Sequence, residues 1–205
     1  MTVRKKQPAR RETRPNSSEG TPPSGHRMRR FLAPELLIAG VSEIVAIAAR
    51  ARVTVLLVGG LAMQHYGSDR LTGDLDFAAR KVPKVLPMLG TLSFGGVQTS
   101  TACGVPVNFI VRGDDYADLY QEAILASPVV TELGVRVVLP EYLAAMKMAA
   151  GRDKDFLDLK FLLSQEGLVD AAKARVIVRK HLGPYAAREF DSLVDEAAWQ
   201  KSRGR

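Results

Sequence analysis

Residues 55–77, VLLVGGLAMQHYGSDRLTGDLDF, constrain the fold of this chain more than any other stretch. An apolar run opens the stretch, two glycines follow it, and the letters DLDF close it. This order predicts a strand, a tight turn, a short helix, a loop and a second strand. Because side chains alternate along a strand, Asp74 and Asp76 are expected on one face and the hydrophobic residues between and after them on the other.

The two aspartates and the two glycines together predict a site for a metal and a phosphate. Two carboxylates held close together repel each other unless a cation lies between them, and Mg2+, which prefers hard oxygen ligands, fits such a pair. Gly59 and Gly60 allow the backbone to approach a phosphate, with N–H groups at the start of the next helix directed at it. The combination is typical of chemistry on a nucleoside triphosphate. The alternatives are an exposed acidic strand end and a turn that needs positive φ.

The charge of the chain is concentrated at its N-terminus. The net charge is +7, and residues 1–30 hold nine basic and two acidic residues, which is already nine minus two, or +7. Residues 31–205 are therefore neutral overall, which argues against a generally basic nucleic-acid-binding domain. Residues 1–30 are predicted to be a disordered basic tail. It is either a solubilising tail or mis-annotated start, or an arm that binds RNA phosphates without sequence preference.

Cysteine content and hydropathy predict a cytoplasmic protein. Cys103 is the single cysteine, so the sequence contains no disulfide framework, as is usual in a reducing cytosol. No apolar run approaches the length of a membrane span, and the N-terminus lacks the apolar segment of a secretory signal. We therefore expect no membrane partner.

The pattern along the chain predicts an α/β core followed by a helical region. Helices are predicted over residues 34–50, 82–89 and 114–126, and strands over 95–101, 105–111 and within 129–139. Pro106 predicts that the strand over 105–111 begins at a sheet edge. From Pro140 onwards the periodicity is helical, with an interruption at Gly151. The predicted division is a tail over 1–30, a core over 31–139 and a helical region over 140–205.

Two groups of residues carry a resemblance to a known family. The glycine pair followed by Asp74-Leu75-Asp76 resembles the signature of the DNA polymerase-β-like nucleotidyltransferase superfamily. GGLAMQHYG followed by RLTGDLDF resembles, more narrowly, the bacterial AbiEii and related nucleotidyltransferase-like proteins, many of which are toxins of toxin–antitoxin systems. The helical motif of that family is matched by LPEYL and the charged residues after it, namely Lys147, Arg152, Lys154, Asp155 and Asp158.

The resemblance implies a fold, a cofactor and a reaction. The implied fold is a nucleotidyltransferase α/β fold, a mixed sheet of about four or five strands with flanking helices. The implied reaction moves a nucleoside monophosphate from a nucleoside triphosphate to a hydroxyl, with Mg2+ at Asp74 and Asp76. RNA, such as a tRNA end, and protein are both acceptors within the superfamily, and an antitoxin protein is an implied partner. An antibiotic-modifying transferase is a further alternative.

The resemblance also assigns roles to single residues. The implied catalytic residues are Asp74, Asp76, Lys147 and Asp155, and the implied nucleotide-binding residues are Gly59, Gly60, Arg70, Lys147 and Arg152. For Arg70 the alternative is a surface arginine paired with Asp69 or Asp74. For the charged residues from Lys147 to Asp158 the alternative is a solvated helix face with ion pairs one turn apart.

Asn108 departs from the family pattern. The superfamily places a third carboxylate on the strand that corresponds to residues 105–111, where it helps to activate the attacking hydroxyl. An amide oxygen can still ligate Mg2+, so Asn108 is a weak candidate metal ligand, but an amide carries no charge and accepts no proton. Three alternatives follow: an enzyme that works with one metal, a nearby acid such as Asp155 in the role of the base, or a catalytically weakened nucleotide-binding or partner-binding module.

Overall fold

The computed structural model of the protein describes residues 32–130, 132 and 134–203, so the predicted tail over 1–30 lies outside the described residues. The helices are α1 (Pro34–Arg50), α2 (Gly59–His65), α3 (Ala117–Ala126), α4 (Pro140–Ala150), α5 (Asp153–Ser164) and α6 (Ala171–Arg203), the last interrupted at Gly183. The strands are β1 (Val55–Val58), β2 (Leu75–Ala79), β3 (Gly90–Thr91), β4 (Gly96–Ser100), β5 (Pro106–Ile110), β6 (Val129–Val130) and β7 (Val135–Val137).

The strands form one mixed sheet in the order β3-β4-β5-β2-β1-β7-β6. β2 runs antiparallel to β1 and parallel to β5, and this register places Asp76 between Val58 on one side and Asn108 on the other. The sheet has seven strands, more than the resemblance implies, because two-residue strands lie at both of its edges. The predicted order of strand, glycine pair, helix and strand is confirmed. Since β2 is the fourth of the seven strands, Asp76 lies near the middle of the sheet.

The two faces of β2 have different surroundings. Leu75 and Phe77 are fully buried, and the Phe77 ring stacks on Phe109 of β5 at a centroid distance of 6.0 Å. α1 covers this face with apolar residues at helical spacing, and its Gly40 lies directly against Leu75. Asp76 therefore projects from the opposite face, as the strand period requires.

The chain after Leu139 is helical, as its periodicity predicts. Buried residues of α4, α5 and α6, among them Leu143, Leu159 and Phe190, belong to one apolar cluster that continues into the sheet. The division into a core over 31–139 and a helical region over 140–205 remains a proposal. Every described helix is too short or too polar to cross a membrane.

Two local predictions are wrong. Residues 82–89 form turns and irregular backbone rather than a helix, because Pro87 lacks the N–H group that a helix interior needs, and only Val82, Pro83 and Leu86 of the segment are covered by the core. Met88, for example, is 67% exposed. β5 is not an edge strand, because β4 and β2 flank it on both sides. Pro106 is tolerated there because it is the first residue of the strand.

Candidate functional site

The turn between β1 and α2 brings the backbone against the side chains of the next strand and loop. Gly59 has φ +67°, and a Cβ atom there would lie 2.0 Å from Asp76 Oδ2. A Cβ atom at Gly60 would lie 2.5 Å from the hydroxyl of Thr72. Both contacts are too short for any side chain, so the glycines are required by the packing of this turn. The predicted contact of these glycines with phosphate remains a prediction.

We expect Gly59→Ala to destabilise the protein and to displace Asp76. Positive φ alone costs an alanine about 1 kcal/mol, and the clash with the carboxylate raises the expected loss in free energy of unfolding to about 3 kcal/mol. Gly104→Ala is the matched control, because Gly104 has φ +78° with open space around its Cβ position. Equal losses in the two variants, measured by denaturant unfolding, would show that the Asp76 contact has no energetic role.

Asp74 and Asp76 meet at the amide of Asn108. Asn108 Nδ2 donates to Asp76 Oδ1 at 2.8 Å and to Asp74 Oδ2 at 3.4 Å. The hydroxyl of Thr72 donates to Asp74 Oδ1 at 3.1 Å and so fixes the second oxygen of that carboxylate. The structure therefore brings together the three residues that the sequence analysis places at a metal site.

Asp76 is held in an unfavourable electrostatic environment. The surrounding protein atoms desolvate its carboxylate, and the negative charge of Asp74 adds to this effect, so the pKa of Asp76 is raised. The hydrogen bond from Asn108 and the positive charges of Lys147 and Lys154 oppose the increase without cancelling it. A cation bound between the two carboxylates would relieve this repulsion, which is the property expected of a metal-binding pair.

The raised pKa of Asp76 predicts a pH dependence of stability in the metal-free protein. The folded state binds this proton more tightly than the unfolded chain, so the stability that it contributes is lost as the pH rises through the folded-state pKa. The Asp76→Asn side chain does not titrate, so the variant lacks this pH-dependent loss of stability. We therefore expect the melting temperature of the variant, relative to wild type in EDTA, to increase as the pH rises above about 4, the usual pKa of an aspartate. A difference that stays constant or shrinks over this range would contradict the assignment.

The charged motif of the C-terminal region forms a buried ionic cluster. Lys147 Nζ on α4 lies 2.5 Å from Asp158 Oδ2 and 3.2 Å from Asp155 Oδ1, both on α5. The side chains of all three residues are at least 92% buried. Gly151, with φ +61°, ends α4 and turns the chain so that α5 folds back on it. Lys147 and its partners therefore face each other across two helices, not along one continuous helix.

Arg70 connects this cluster to the loop before β2. Its Nη2 donates to Asp158 Oδ2 at 3.0 Å, and its Nε lies 2.9 Å from Asp158 Oδ1, although that N–H is not well directed at the oxygen. The expected alternatives for Arg70, pairing with Asp69 or Asp74, are therefore wrong. The ion pair ties the loop that carries Asp74 to helix α5.

Asp155 is poorly suited to the role of proton acceptor. Burial would raise its pKa, but the hydrogen bond from Arg152 and the charge of Lys147 outweigh burial, and the pKa of Asp155 is lowered. Its side chain is 1% exposed, whereas that of Arg152 is 60% exposed. A carboxylate that is inaccessible and doubly paired accepts a proton less readily than a free one. The geometry favours a role for Asp155 in holding Lys147 and Arg152.

Two residues near the aspartates were not identified from the sequence. Gln98 of β4 lies opposite Asn108, and its Nε2 donates to Asn108 Oδ1 at 3.4 Å. The signal was present in the sequence, because residues 98 and 108 are equidistant from residue 103, at the centre of the short segment between the predicted strands over 95–101 and 105–111. Tyr120 of α3 is the second. Burial raises the pKa of its phenol, the charge of Arg112 opposes this, and the charge of Asp76 adds to it. Nothing in the local sequence marks Tyr120.

The donor set fits one divalent metal ion better than two. Among the described residues, no three acidic, histidine or cysteine side chains converge on a point that a metal ion could occupy. Asp74 and Asp76 supply two carboxylates, and Mg2+ is commonly held by one or two carboxylates together with substrate phosphates. Asn108 supplies an uncharged amide where a second metal would need a further carboxylate.

Comparison with solved structures finds proteins of similar fold. The solution structure of the antibiotic-resistance factor ANT(2'')-Ia, described as having substrate-regulated conformational dynamics, matches with a TM-score of 0.51 and 16% identity over 78% of this chain and 98% of that one. An antigenic nucleotidyltransferase-like protein from Paracoccidioides brasiliensis matches with a TM-score of 0.44 and 15% identity, over 81% of this chain and 95% of that one. A nucleotidyltransferase candidate from H. pylori matches with a TM-score of 0.44 and 14% identity, over 85% and 99%.

No family model and no curated protein matches the chain significantly. At 16% identity the likeness to ANT(2'')-Ia is one of fold alone, and it does not separate the AbiEii group from other proteins with this architecture. The mixed sheet with flanking helices, followed by a long C-terminal helix, is a nucleotidyltransferase-like fold.

Proposed function

We propose that this protein is a nucleotidyltransferase that uses a nucleoside triphosphate and Mg2+ to modify a hydroxyl group. The observation that carries the proposal is the pairing of Asp74 and Asp76 around one amide nitrogen, with Asp76 raised in pKa by desolvation and by Asp74. Lys147 and Lys154 lie close enough to lower that pKa. A site with two carboxylates beside fixed cations is complementary to a metal-bound triphosphate.

Each residue has a defined task in this proposal. Asp74 and Asp76 would hold Mg2+, which when bound supplies charge stabilisation to the reacting phosphate. Arg152 has the most exposed side chain of the ionic cluster and is the cation best placed to reach a phosphate from solvent. Lys147 is buried between Asp155 and Asp158, so it acts through its charge and through its remaining N–H rather than as a mobile ligand. Gly59 keeps the turn close to the Asp76 carboxylate, and Gly60 keeps it close to Thr72, whose hydroxyl donates to Asp74.

The proposal also concerns the acceptor of the nucleotidyl group and the biological role of the reaction. The motifs that resemble AbiEii proteins favour a toxin of a toxin–antitoxin pair, with RNA or protein as the acceptor and an antitoxin as partner. The fold likeness to an antibiotic-resistance factor keeps a small-molecule hydroxyl as an alternative acceptor. A small neighbouring open reading frame would favour the toxin assignment.

A second candidate function is nucleotide or partner binding without efficient catalysis. Asn108 carries no charge and donates its N–H groups to both aspartates, so it cannot act as the base that the superfamily places on this strand. The low pKa of Asp155 and its burial leave that residue unsuited to replace it.

A label-transfer assay distinguishes the two functions. The protein is incubated with each α-labelled nucleoside triphosphate, Mg2+ and, in separate reactions, total RNA, total protein or hydroxyl-rich antibiotics. The Asp74→Ala, Asp76→Ala double variant is the control. Transfer above that control supports the enzyme. Triphosphate binding without transfer overturns the enzyme and favours the binding module. Asn108→Asp is then expected to restore transfer if the site is an enzyme that has lost its base.

A further inference from the structure

Three polar side chains occupy one row across three adjacent strands. Gln98 of β4 lies directly opposite Asn108 of β5, which lies directly opposite Asp76 of β2. Residues directly opposite each other project from the same face of a sheet, so the three side chains are neighbours on the face that carries the aspartates. The row continues to Gly90 of β3, which pairs with Gln98.

The absence of a side chain at Gly90 leaves space for the Gln98 amide. A Cβ atom at Gly90 would lie 2.9 Å from Gln98 Oε1, so any side chain at Gly90 would press on that amide. With Gly90 beside it, Gln98 directs its Nε2 towards Asn108 Oδ1 at 3.4 Å. This contact is at the long end of the hydrogen-bond range, so its expected effect is on the orientation of Asn108 more than on stability.

The orientation of Asn108 follows from what its neighbours can accept. Ionised carboxylates only accept hydrogen bonds, so the nitrogen of the Asn108 amide must face Asp74 and Asp76. Its oxygen is then directed at the donor that Gln98 supplies. To place that oxygen on a metal ion between the aspartates, Asn108 would have to rotate, give up both carboxylates and break its contact with Gln98.

We infer that Gln98 is a positioning residue that holds Asn108 as a hydrogen-bond donor to Asp74 and Asp76, so that Asn108 competes with a bound metal ion instead of ligating it. The inference rests on the proposed metal site and deepens it. It reverses the role that sequence analysis gave to Asn108, which was a weak metal ligand. It predicts that the two carboxylates bind a metal ion weakly in the absence of nucleotide.

The inference is tested by whether Asn108→Ala raises or lowers the affinity of the nucleotide-free protein for a metal ion. The probe is Mn2+, titrated by calorimetry or by its paramagnetic signal, against wild type and Asn108→Ala. If Asn108 competes with the ion, its removal raises the affinity for Mn2+ by about three-fold or more, since its hydrogen bonds to the two carboxylates no longer oppose binding. If Asn108 is a ligand, its removal lowers the affinity, and that result or an unchanged affinity overturns the inference.

A double-mutant cycle tests the part played by Gln98. Gln98→Leu removes the amide from an exposed position and frees Asn108 to turn its oxygen to the ion, so Mn2+ affinity is expected to rise by about three-fold. In the Asn108→Ala background the same substitution is expected to change nothing. An equal effect in both backgrounds, or no effect in wild type, overturns the positioning role.

A metal-free measurement keeps the inference separate from the proposed function. The side-chain NH2 signals of Asn108 are identified by NMR from their loss in Asn108→Ala. Protection of these protons from solvent exchange in wild type, and faster exchange in Gln98→Leu, supports the positioning role. Rapid exchange in wild type overturns it. Absence of Mn2+ binding in every variant, including Asn108→Asp, would instead overturn the metal site while the NMR result still decides the role of Gln98.

Discussion

The Asp74→Asn, Asp76→Asn variant is expected to lose nucleotidyl transfer by about 10³-fold or more, because it removes both charged oxygen donors that the site offers to Mg2+. The substitution keeps the size and shape of both side chains, so the packing against Gly59 is largely preserved. Label transfer in the presence of saturating Mg2+ is the measurement. A loss of less than about ten-fold would exclude these residues as the metal-binding pair.

The same variant is expected to be more stable than wild type when metal is absent. Asp76 is desolvated and lies beside a second negative charge, and removal of this repulsion typically raises the free energy of unfolding by about 1 kcal/mol at a functional site. For a chain of this size this corresponds to an increase of about 3 °C in melting temperature. Added Mg2+ should stabilise wild type and leave the variant unchanged. Loss of activity together with loss of stability would indicate misfolding instead.

Local sequence patterns predicted the parts of the fold that depend on nearest neighbours along the chain. The apolar run before Gly59, the alternation around Asp76 and the helical spacing after Pro140 each reflect a repeat of two or 3.6 residues, and these elements are confirmed. Segment 82–89 has apolar residues at helical spacing, but Val85, Met88 and Leu89 are exposed, and the prolines interrupt the backbone. Burial depends on the rest of the fold, and periodicity alone does not determine it.

The candidate site was predictable where its members are neighbours along the chain, as Asp74 at the end of the loop and Asp76 in β2 are, and not where they meet through the fold. Asp74 and Asp76 were placed together by the strand period alone. The ion pair between Arg70 and Asp158 joins residues 88 positions apart, and no local pattern specifies it. Helical spacing predicted that Lys147 would pair along its own surface, whereas the turn at Gly151 folds α5 back and supplies partners from the next helix.

Asp158→Asn is expected to produce the largest loss of stability among substitutions in the ionic cluster, about 3 kcal/mol in the free energy of unfolding. Asp158 is 3% exposed and accepts hydrogen bonds from both Lys147 and Arg70. Its neutralisation leaves the Lys147 ammonium buried with Asp155 as the remaining partner of the pair. Asp155 is then shared between Lys147 and Arg152, so the buried ammonium is only partly compensated, and leaving a buried charge without a full partner is costly.

Three further variants show whether the loss in free energy of unfolding comes from an uncompensated buried charge or only from the loss of an ion pair. Glu196→Gln breaks the exposed pair with Lys160 and is expected to cost less than about 0.5 kcal/mol. Lys147→Met leaves two aspartates that each keep an arginine partner, so its cost should be smaller than that of Asp158→Asn. Combining Lys147→Met with Asp158→Asn should cost less than the sum of the two single changes, because the buried ammonium is absent from the double variant.

Denaturant unfolding at neutral pH measures all four variants, and the order of their losses decides what the charged motif does. If Asp158→Asn costs no more than Glu196→Gln, the cluster is not a structural clamp, and its cations are available to a phosphate. If Asp158→Asn is severe, Lys147 is fixed by the fold, and Arg152, which pairs with Asp155 but has an exposed side chain, is the cation of this cluster best placed to reach a bound triphosphate. The prediction is the second outcome, since burial of the Lys147, Asp155 and Asp158 side chains makes an uncompensated charge there more costly than at the surface.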